Sequence, residues 1–174
     1  MLYTKKGDTG KTDLFGCDQR ISKSSAITEA LGCLDEVNSY LGIIKSRIVE
    51  EKTKKTIHRI QNDLFIIQAQ VAGADKKIKS DEVKYIEKIV NDIGKDLPTI
   101  KTFLVSGANE LSANFDFSRT LARRAERRVV TVNEEGLTKI DSETLVFINR
   151  LSSLLYVFAR KAAKDDGKEK APKY

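Results

Sequence analysis

The chain has 174 residues, 40% of them hydrophobic and 32% charged, with 31 Lys and Arg against 25 Asp and Glu for a net charge of +6. That length suits one domain with a sizeable core, and the positive balance favours anionic ligands without choosing among nucleotides, nucleic acid and acidic surfaces. Two distant cysteines, Cys17 and Cys33, and a single histidine, His58, leave little from which to build a structural zinc site, a His-based triad or a multi-histidine metal centre.

The N-terminus, MLYTKKGDTG, lacks the apolar core of a signal peptide. No apolar run approaches the roughly 20 residues that cross a bilayer. A cytoplasmic protein with reduced, mostly buried thiols is expected. Residues 1–25 do not read as helix, with a short strand at Leu2–Thr4 as their one regular element. Gly7, Gly10 and Gly16 are spaced among Thr4, Thr9, Thr12 and the serines 22, 24 and 25, with Lys5, Lys6, Lys11, Arg20 and Lys23 adding positive charge. Glycine N–H groups, hydroxyls and lysines are what a polyphosphate needs. The run Gly10-Lys11-Thr12 invites a Walker A assignment, but the required earlier glycine is Lys5, and neither an apolar strand before nor a helix after is visible.

Residues 26–49 carry apolar side chains at helical spacing from Ile27 to Ile48, with Ser24 or Ser25 as the cap. Asp35 and Asn38 lie one turn apart, so they are expected to face a shared site. A second helix is predicted over 53–74, with His58 on it as a structural residue. A third is predicted over 81–93, capped by Asp81 and stopped by Gly94. Pro98 forbids simple continuation. The connector 99–108 is short and apolar, and its largest side chain, Phe103, reads by itself as a core anchor. A fourth helix covers 109–133 and is closed by Asn133-Glu134-Glu135-Gly136. A fifth covers 141–164, capped by Asp141 or Ser142. Residues 165–174 are polar and are expected to fray. Five helices, short connections and no convincing sheet describe an all-α, up-and-down five-helix bundle with a glycine-rich N-terminal arm. The organisation is one domain over 1–174: arm 1–25, bundle 26–164 and flexible tail 165–174.

The fourth helix holds the run SRTLARRAERRVV, residues 118–130. Arg119, Arg123 and Glu126 fall at i, i+4 and i+7 and share a face. Guanidinium forks match phosphate oxygens. The same run also fits a solvated face with local ion pairs.

Three stretches in register resemble the PduO-type ATP:cob(I)alamin adenosyltransferases. Tyr3-Thr4-Lys5-Lys6-Gly7-Asp8-Thr9-Gly10-Lys11-Thr12 looks like the family's TKxGDxGxT arm. Leu31-Gly32-Cys33-Leu34-Asp35-Glu36-Val37-Asn38-Ser39 is similar to its DELNS helix. Arg119-Thr120 through Arg123-Arg124-Ala125-Glu126-Arg127, followed by Asn149-Arg150-Leu151-Ser152, looks like its ARTxxRRAER and NRLSD pair. The likeness covers nearly the whole chain.

The resemblance implies that cob(I)alamin attacks the 5′ carbon of ATP, giving adenosylcobalamin and triphosphate. It implies a homotrimer with active sites between subunits, the arm wrapping the triphosphate, and Mg²⁺ at the phosphates. A reductase would supply cob(I)alamin and an adenosylcobalamin-dependent enzyme would accept the product. Carried over by position, Thr4, Lys5, Lys6, Gly7, Thr12 and Lys23 match the arm's phosphate-binding set. Arg123, Arg124, Glu126, Arg127 and Asn149 match ATP-binding positions. Arg119 matches an arginine that pairs across the interface with Asp35, and Phe103 matches an aromatic that closes the lower face of the corrin. Arg123, Arg119, Asp35 and Phe103 form the implied catalytic set. No metal ligand is assigned.

Two positions depart from the family pattern. Asp116 stands where a histidine commonly precedes the first arginine, and Ser153 replaces the aspartate that ends NRLSD. Both fall on the corrin side. Two other functions are also weighed: a basic helical nucleic-acid-binding module, suggested by the charge and the arginine helix, and a non-catalytic ATP or cobalamin carrier. Against the first stand the 25 interspersed acidic residues and the lack of a recognition motif or aromatic platform. The resemblance implies neither nucleic-acid nor membrane binding.

Overall fold

A computed structural model describes residues 3–14, 20–100, 102–165 and 171–172. Leu2, Gly16, Cys17 and tail residues 166–170, 173 and 174 lie outside the described residues. Five helices carry the fold: α1 (Ala26–Arg47), α2 (Glu51–Val71), α3 (Ser80–Asp96), α4 (Glu110–Glu134) and α5 (Ser142–Asp165). Helix α1 packs on α2 and α4, and α5 packs on α4 and α3. Each helix turns its apolar stripe inward, burying Leu34, Leu41 and Ile44 of α1, Leu64 and Ile67 of α2, Ile86 of α3, Val129 of α4 and Phe147, Leu151 and Leu155 of α5 in one core. No described helix is long and apolar enough to cross a membrane.

The helix ends show local causes. The Ser25 side chain accepts the Thr28 N–H, so the cap is Ser25 rather than Ser24. The Asn109 side chain accepts the Ser112 N–H at the start of α4. Gly136, at φ +68°, lets the chain turn out of α4 after Glu135. Three expectations change. Asp81 is not a cap: α3 begins at Ser80 after Lys79, with no side-chain cap bond, and Asp81 supplies first-turn negative charge instead. Gly94 does not stop α3, which runs on to Asp96, just short of Pro98. A small sheet also exists. Strand β1 (Lys11–Asp13) pairs antiparallel with β2 (Arg20–Ser22), Thr12 opposite Ile21, while Tyr3 and Thr4 belong to no strand.

Buried polar groups lock the packing. The Asn38 amide donates to the Gln61 carbonyl at 3.4 Å, and Gln61 Nε2 donates to the Asn38 carbonyl at 3.0 Å, tying α1 to α2. Asn38 is therefore a packing residue. It is buried while Asp35 is exposed, so the two do not face a shared site. His58 is exposed on α2, and Cys33 is buried.

Asp63 of α2 is buried beside Arg59, one turn earlier. The Arg59 guanidinium lies 3.9 Å over the Tyr85 ring and donates through Nε to Glu82 of α3 at 2.6 Å. Burial first, and the Glu82 charge second, push the Asp63 carboxyl from an ordinary 3.8 to about 7, against the opposing pull of Arg59. The folded chain then binds more protons than the unfolded one between those values, so stability falls as pH rises through this window and stays low above it. Asp63→Asn, which mimics the neutral acid, is expected to gain stability over the parent as pH goes from 4.5 to 8. Thermal melts should show a relative Tm gain of about 4 °C or more at the higher pH. An equal difference at both pH values would mean that Asp63 is ionised in the fold.

Candidate active site

Helix α4 sorts its arginines by azimuth. Arg124 and Arg128, four residues apart, reach α1. Arg124 pairs with Glu36, and Arg128 Nε lies 3.4 Å from Glu29 Oε1. Arg119, Arg123 and Arg127 lie on the other side, toward α5. Arg124, expected at ATP, is thus engaged with α1 in this chain, while Arg123 and Arg127 line an open surface cavity.

Two cavities meet at Arg123. The first, about 380 Å³, lies between α4, α5 and the connector after α3, with Phe103, Asp116, Arg119, Arg123, Ser153 and Tyr156 in its lining. It is formed by two facing stripes, Ser112, Asp116, Arg119 and Arg123 on α4 and Ser152, Ser153, Tyr156 and Arg160 on α5. The second, about 360 Å³, is lined by Arg123, Glu126, Arg127, Val130, Thr131, Glu134 and Asn149. There Asn149 Nδ2 donates to Glu126 Oε1 at 2.8 Å, and Arg150 donates both to Asn149 Oδ1 at 2.8 Å and to Glu87 at 3.0 Å. Glu126 and Asn149 are thereby oriented, and Arg127 donates to the Arg123 carbonyl at 3.0 Å.

The first cavity brings together the three corrin-side expectations. Phe103 is 82% exposed at its edge, so it is not a core anchor. Asp116 Oδ1 lies 3.2 Å from Arg119 Nε, with Asp116 the more enclosed of the pair. The Arg119 guanidinium stands 6.0 Å from the centre of the Tyr156 ring, at the outer reach of a cation–π contact. Tyr156 and Arg160 escape motif reading. Their spacing of four from Ser152 through Tyr156 to Arg160, beside Asn149, is the signal that places them on one face.

The described part of the N-terminal segment, residues 3–14 and 20–25, folds on itself. Backbone turns join Asp8 to Lys5 and Gly10 to Gly7, and the Lys23 N–H donates to the Gly10 carbonyl at 2.9 Å. The Arg20 guanidinium donates to the Lys6 and Lys11 carbonyls and pairs with Asp13 at 3.1 Å. A Cβ at Gly7 would stand 2.9 Å from Lys23 Nζ, so glycine there lets the ammonium close over the turn. Lys5 adopts φ +60°, a left-handed conformation rarely taken by lysine. Thr4, Lys5, Lys6, Gly7 and Lys23 thus gather around one turn, with Thr12 in the adjoining strand. Among the described residues, no hydrogen bond or ion pair joins the arm to α4.

Asp35 does not reach Arg119 in one chain. It lines a separate cavity of about 520 Å³ with Asp13 and Leu14 of the arm, Leu31 and Gly32 of α1, and Phe65 and Gln68 of α2. No cluster of three acidic, histidine or cysteine side chains suited to a metal occurs among the described residues. A Mg²⁺ carried in on a polyphosphate fits such a surface, because this ion commonly keeps its waters and binds chiefly through phosphate oxygens.

The chain matches the model of the cobalamin adenosyltransferase family over residues 2–162. It is 33% identical over 171 residues to the corrinoid adenosyltransferase PduO of Citrobacter freundii, covering 94% of this chain and 50% of that protein. A second corrinoid adenosyltransferase of Citrobacter freundii is 32% identical over 166 residues, with 91% of this chain and 93% of the relative aligned. The chain therefore spans about half the length of the PduO relatives it matches. The backbone superposes, at a TM-score of 0.91 and 28% identity, on a variant PduO-type ATP:corrinoid adenosyltransferase from Lactobacillus reuteri complexed with cobalamin and ATP, covering 99% of this chain and 97% of that one. With motifs, bundle and paired cavities in agreement, this chain belongs to the cobalamin adenosyltransferase family.

Proposed function

We propose that the protein transfers the 5′-deoxyadenosyl group of ATP to the cobalt of cob(I)alamin, giving adenosylcobalamin and triphosphate. One observation carries this: Arg123 stands where two cavities meet, one edged by Phe103 and one lined by Glu126, Arg127 and Asn149. A corrin in the first and a nucleotide in the second would meet at that arginine. Relatives named corrinoid adenosyltransferases, and a structural neighbour complexed with cobalamin and ATP, support the same assignment.

The chemistry asks little covalent work of the protein. The cobalt electron pair forms the Co–C5′ bond, the C5′–O bond breaks, and its electrons leave on triphosphate. No proton is moved, which suits a chain with one histidine, exposed and remote in sequence from these motifs. The protein's task is alignment, for which roughly 7–11 kcal/mol is available, and stabilisation of charge on the leaving triphosphate. Arg123 and Arg127 supply fixed positive charge. Glu126, held by Asn149, is placed to accept hydrogen bonds from the hydroxyls of the nucleoside. Thr4, Lys5, Lys6, Gly7, Thr12 and Lys23 cradle phosphate, and Mg²⁺ bound to the phosphates would add Lewis-acid charge there. Phe103, with Asp116 and Ser153 beside it, covers the lower face of the corrin. Excluding a lower ligand makes Co(II) easier to reduce.

Among the described residues, no hydrogen bond or ion pair joins the arm to Arg123, and Asp35 is apart from Arg119. Both facts favour a homotrimer in which one subunit's arm and Asp35 meet the next subunit's α4. We place the enzyme in the cytoplasm as one domain, with arm 1–25 closing on bundle 26–164. A reductase would supply cob(I)alamin and an adenosylcobalamin-dependent enzyme would take the product. The nucleic-acid reading loses ground because α4 presents no continuous basic stripe: Arg119, Arg124 and Arg128 all face carboxylates.

Incubation with ATP and chemically reduced cob(I)alamin tests the function. The expected result is the adenosylcobalamin spectrum with one triphosphate released per corrin. ATP binding without turnover, with a positive control running, would make the protein a carrier and overturn the assignment.

A further inference from the structure

The described residues in the middle of the connector between α3 and α4 present apolar side chains to the surface. Ile100, Phe103 and Val105 are all exposed, and Gly107 sits at φ +91°. Its two ends are fastened to one short stretch of α5. Arg160 Nη2 donates to the Pro98 carbonyl at 2.9 Å, and Lys164 Nζ donates to the Asp96 carbonyl at 2.6 Å. At the far end, Asn109 Nδ2 donates to the Ala162 carbonyl at 2.8 Å while its Oδ1 caps α4. Positions 160, 162 and 164 of α5 therefore hold both feet of the connector.

Arg160 differs from the other two anchors. It is buried, and it lines the same cavity that Phe103 edges. A buried guanidinium stays charged and is unfavourable unless its donors are satisfied. The Pro98 carbonyl satisfies one of them at the residue where the helix is blocked from continuing. The bond therefore fixes both the point and the direction in which the chain leaves α3 for Phe103. Lysine, with a point charge and no planar fork, reproduces this geometry poorly.

We propose that Arg160 is a positioning residue for Phe103: by holding Pro98 to α5, it sets where Phe103 stands over the cavity between α4 and α5. The placement stands on the geometry alone. Its consequence for corrin binding rests on the adenosyltransferase assignment.

The chain contains no tryptophan, so Phe103→Trp installs a single emitter at this position. In that background, Arg160→Met is expected to lower the Trp anisotropy and to speed amide exchange at residues 102–106 by about tenfold, with α1 and α2 amides unchanged. Arg160→Lys should fall between, and it carries the test if Arg160→Met does not fold. Unchanged anisotropy and exchange in a folded Arg160 variant would overturn the proposal. In the native-Phe103 enzyme, the same substitutions should raise the KM for corrinoid by about tenfold and leave the KM for ATP within about twofold. That effect should vanish in a Phe103→Ala background. An equal loss with and without Phe103 would make Arg160 merely structural and overturn the positioning role. An inactive parent would remove the adenosyltransferase assignment while leaving the fluorescence and exchange results to decide the placement.

Discussion

Replacing Arg123 with alanine is expected to lower kcat by on the order of 10²–10³-fold or more, the scale for loss of a preorganised charge at the site of developing negative charge. The fold should not change. Arg123 is exposed, and its neighbours Ala122 and Ala125 supply the core contact at that turn. Thermal melting and subunit size should match the parent, which separates a site effect from a packing effect. Arg123→Lys should recover only part of the rate, since a lysine ammonium cannot reproduce the planar fork. Arg124→Ala should behave differently. Its guanidinium pairs with Glu36 on α1, so its removal should act on the α1–α4 contact and, because both side chains of the pair are exposed, cost at most about 1 kcal/mol. A parent-like rate in the Arg123 variant would remove this residue from the site.

The helices were legible because each presents an apolar stripe at a 3.6-residue period, from Leu34–Leu41 in α1 to Leu151–Leu155 in α5. Boundaries were less so. Asp81 looks like a cap and Gly94 like a stop, yet the chain begins α3 at Ser80 and carries it to Asp96, because burial of Val83 and Ile86 outweighs weak terminal preferences. The hairpin of Lys11–Asp13 and Arg20–Ser22 was invisible, since three-residue strands carry almost no alternation and their register is set by turns. Sequence spacing placed Asp35 and Asn38 together, but one turn of separation does not specify azimuth finely enough. Asn38 turned inward to Gln61 and Asp35 stayed outside. Asp63 is not legible in the sequence because the charges that act on it, Arg59 and Glu82, come from two helices. The same limit hid the α5 stripe through Tyr156 and Arg160, which becomes a cavity wall only once α4 and the connector are laid against it. Phe103 went the other way. Hydrophobicity alone places it in the core, the resemblance places it at a ligand, and its exposure rules out the first.

Asp35→Ala and Arg119→Ala are each expected to be nearly inactive as pure proteins, and a mixture of the two should regain activity. Within one chain Arg119 is held by Asp116 at 3.2 Å, while Asp35 lines a different cavity with Asp13, Leu14 and Phe65. If these residues meet only across a subunit boundary, a hybrid trimer contains interfaces where the intact Arg119 of one variant faces the intact Asp35 of the other. Random assembly from equal parts leaves about a quarter of the interfaces native in a closed cyclic trimer. Co-refolding or co-expression should therefore return about a quarter of the parental rate, on the closure rule for cyclic assemblies. The pure double variant should be no worse than the poorer single one, as expected when two residues act as one coupled unit. Asp116 makes the outcome sharper. It supplies Arg119 with a carboxylate whether or not a neighbour is present, so loss of Asp35 should leave Arg119 charged and ordered but turned to its own helix. Activity that stays absent in the mixture, with hybrid trimers demonstrated by tagged subunits, would place both residues in the same subunit's site or in no shared contact at all.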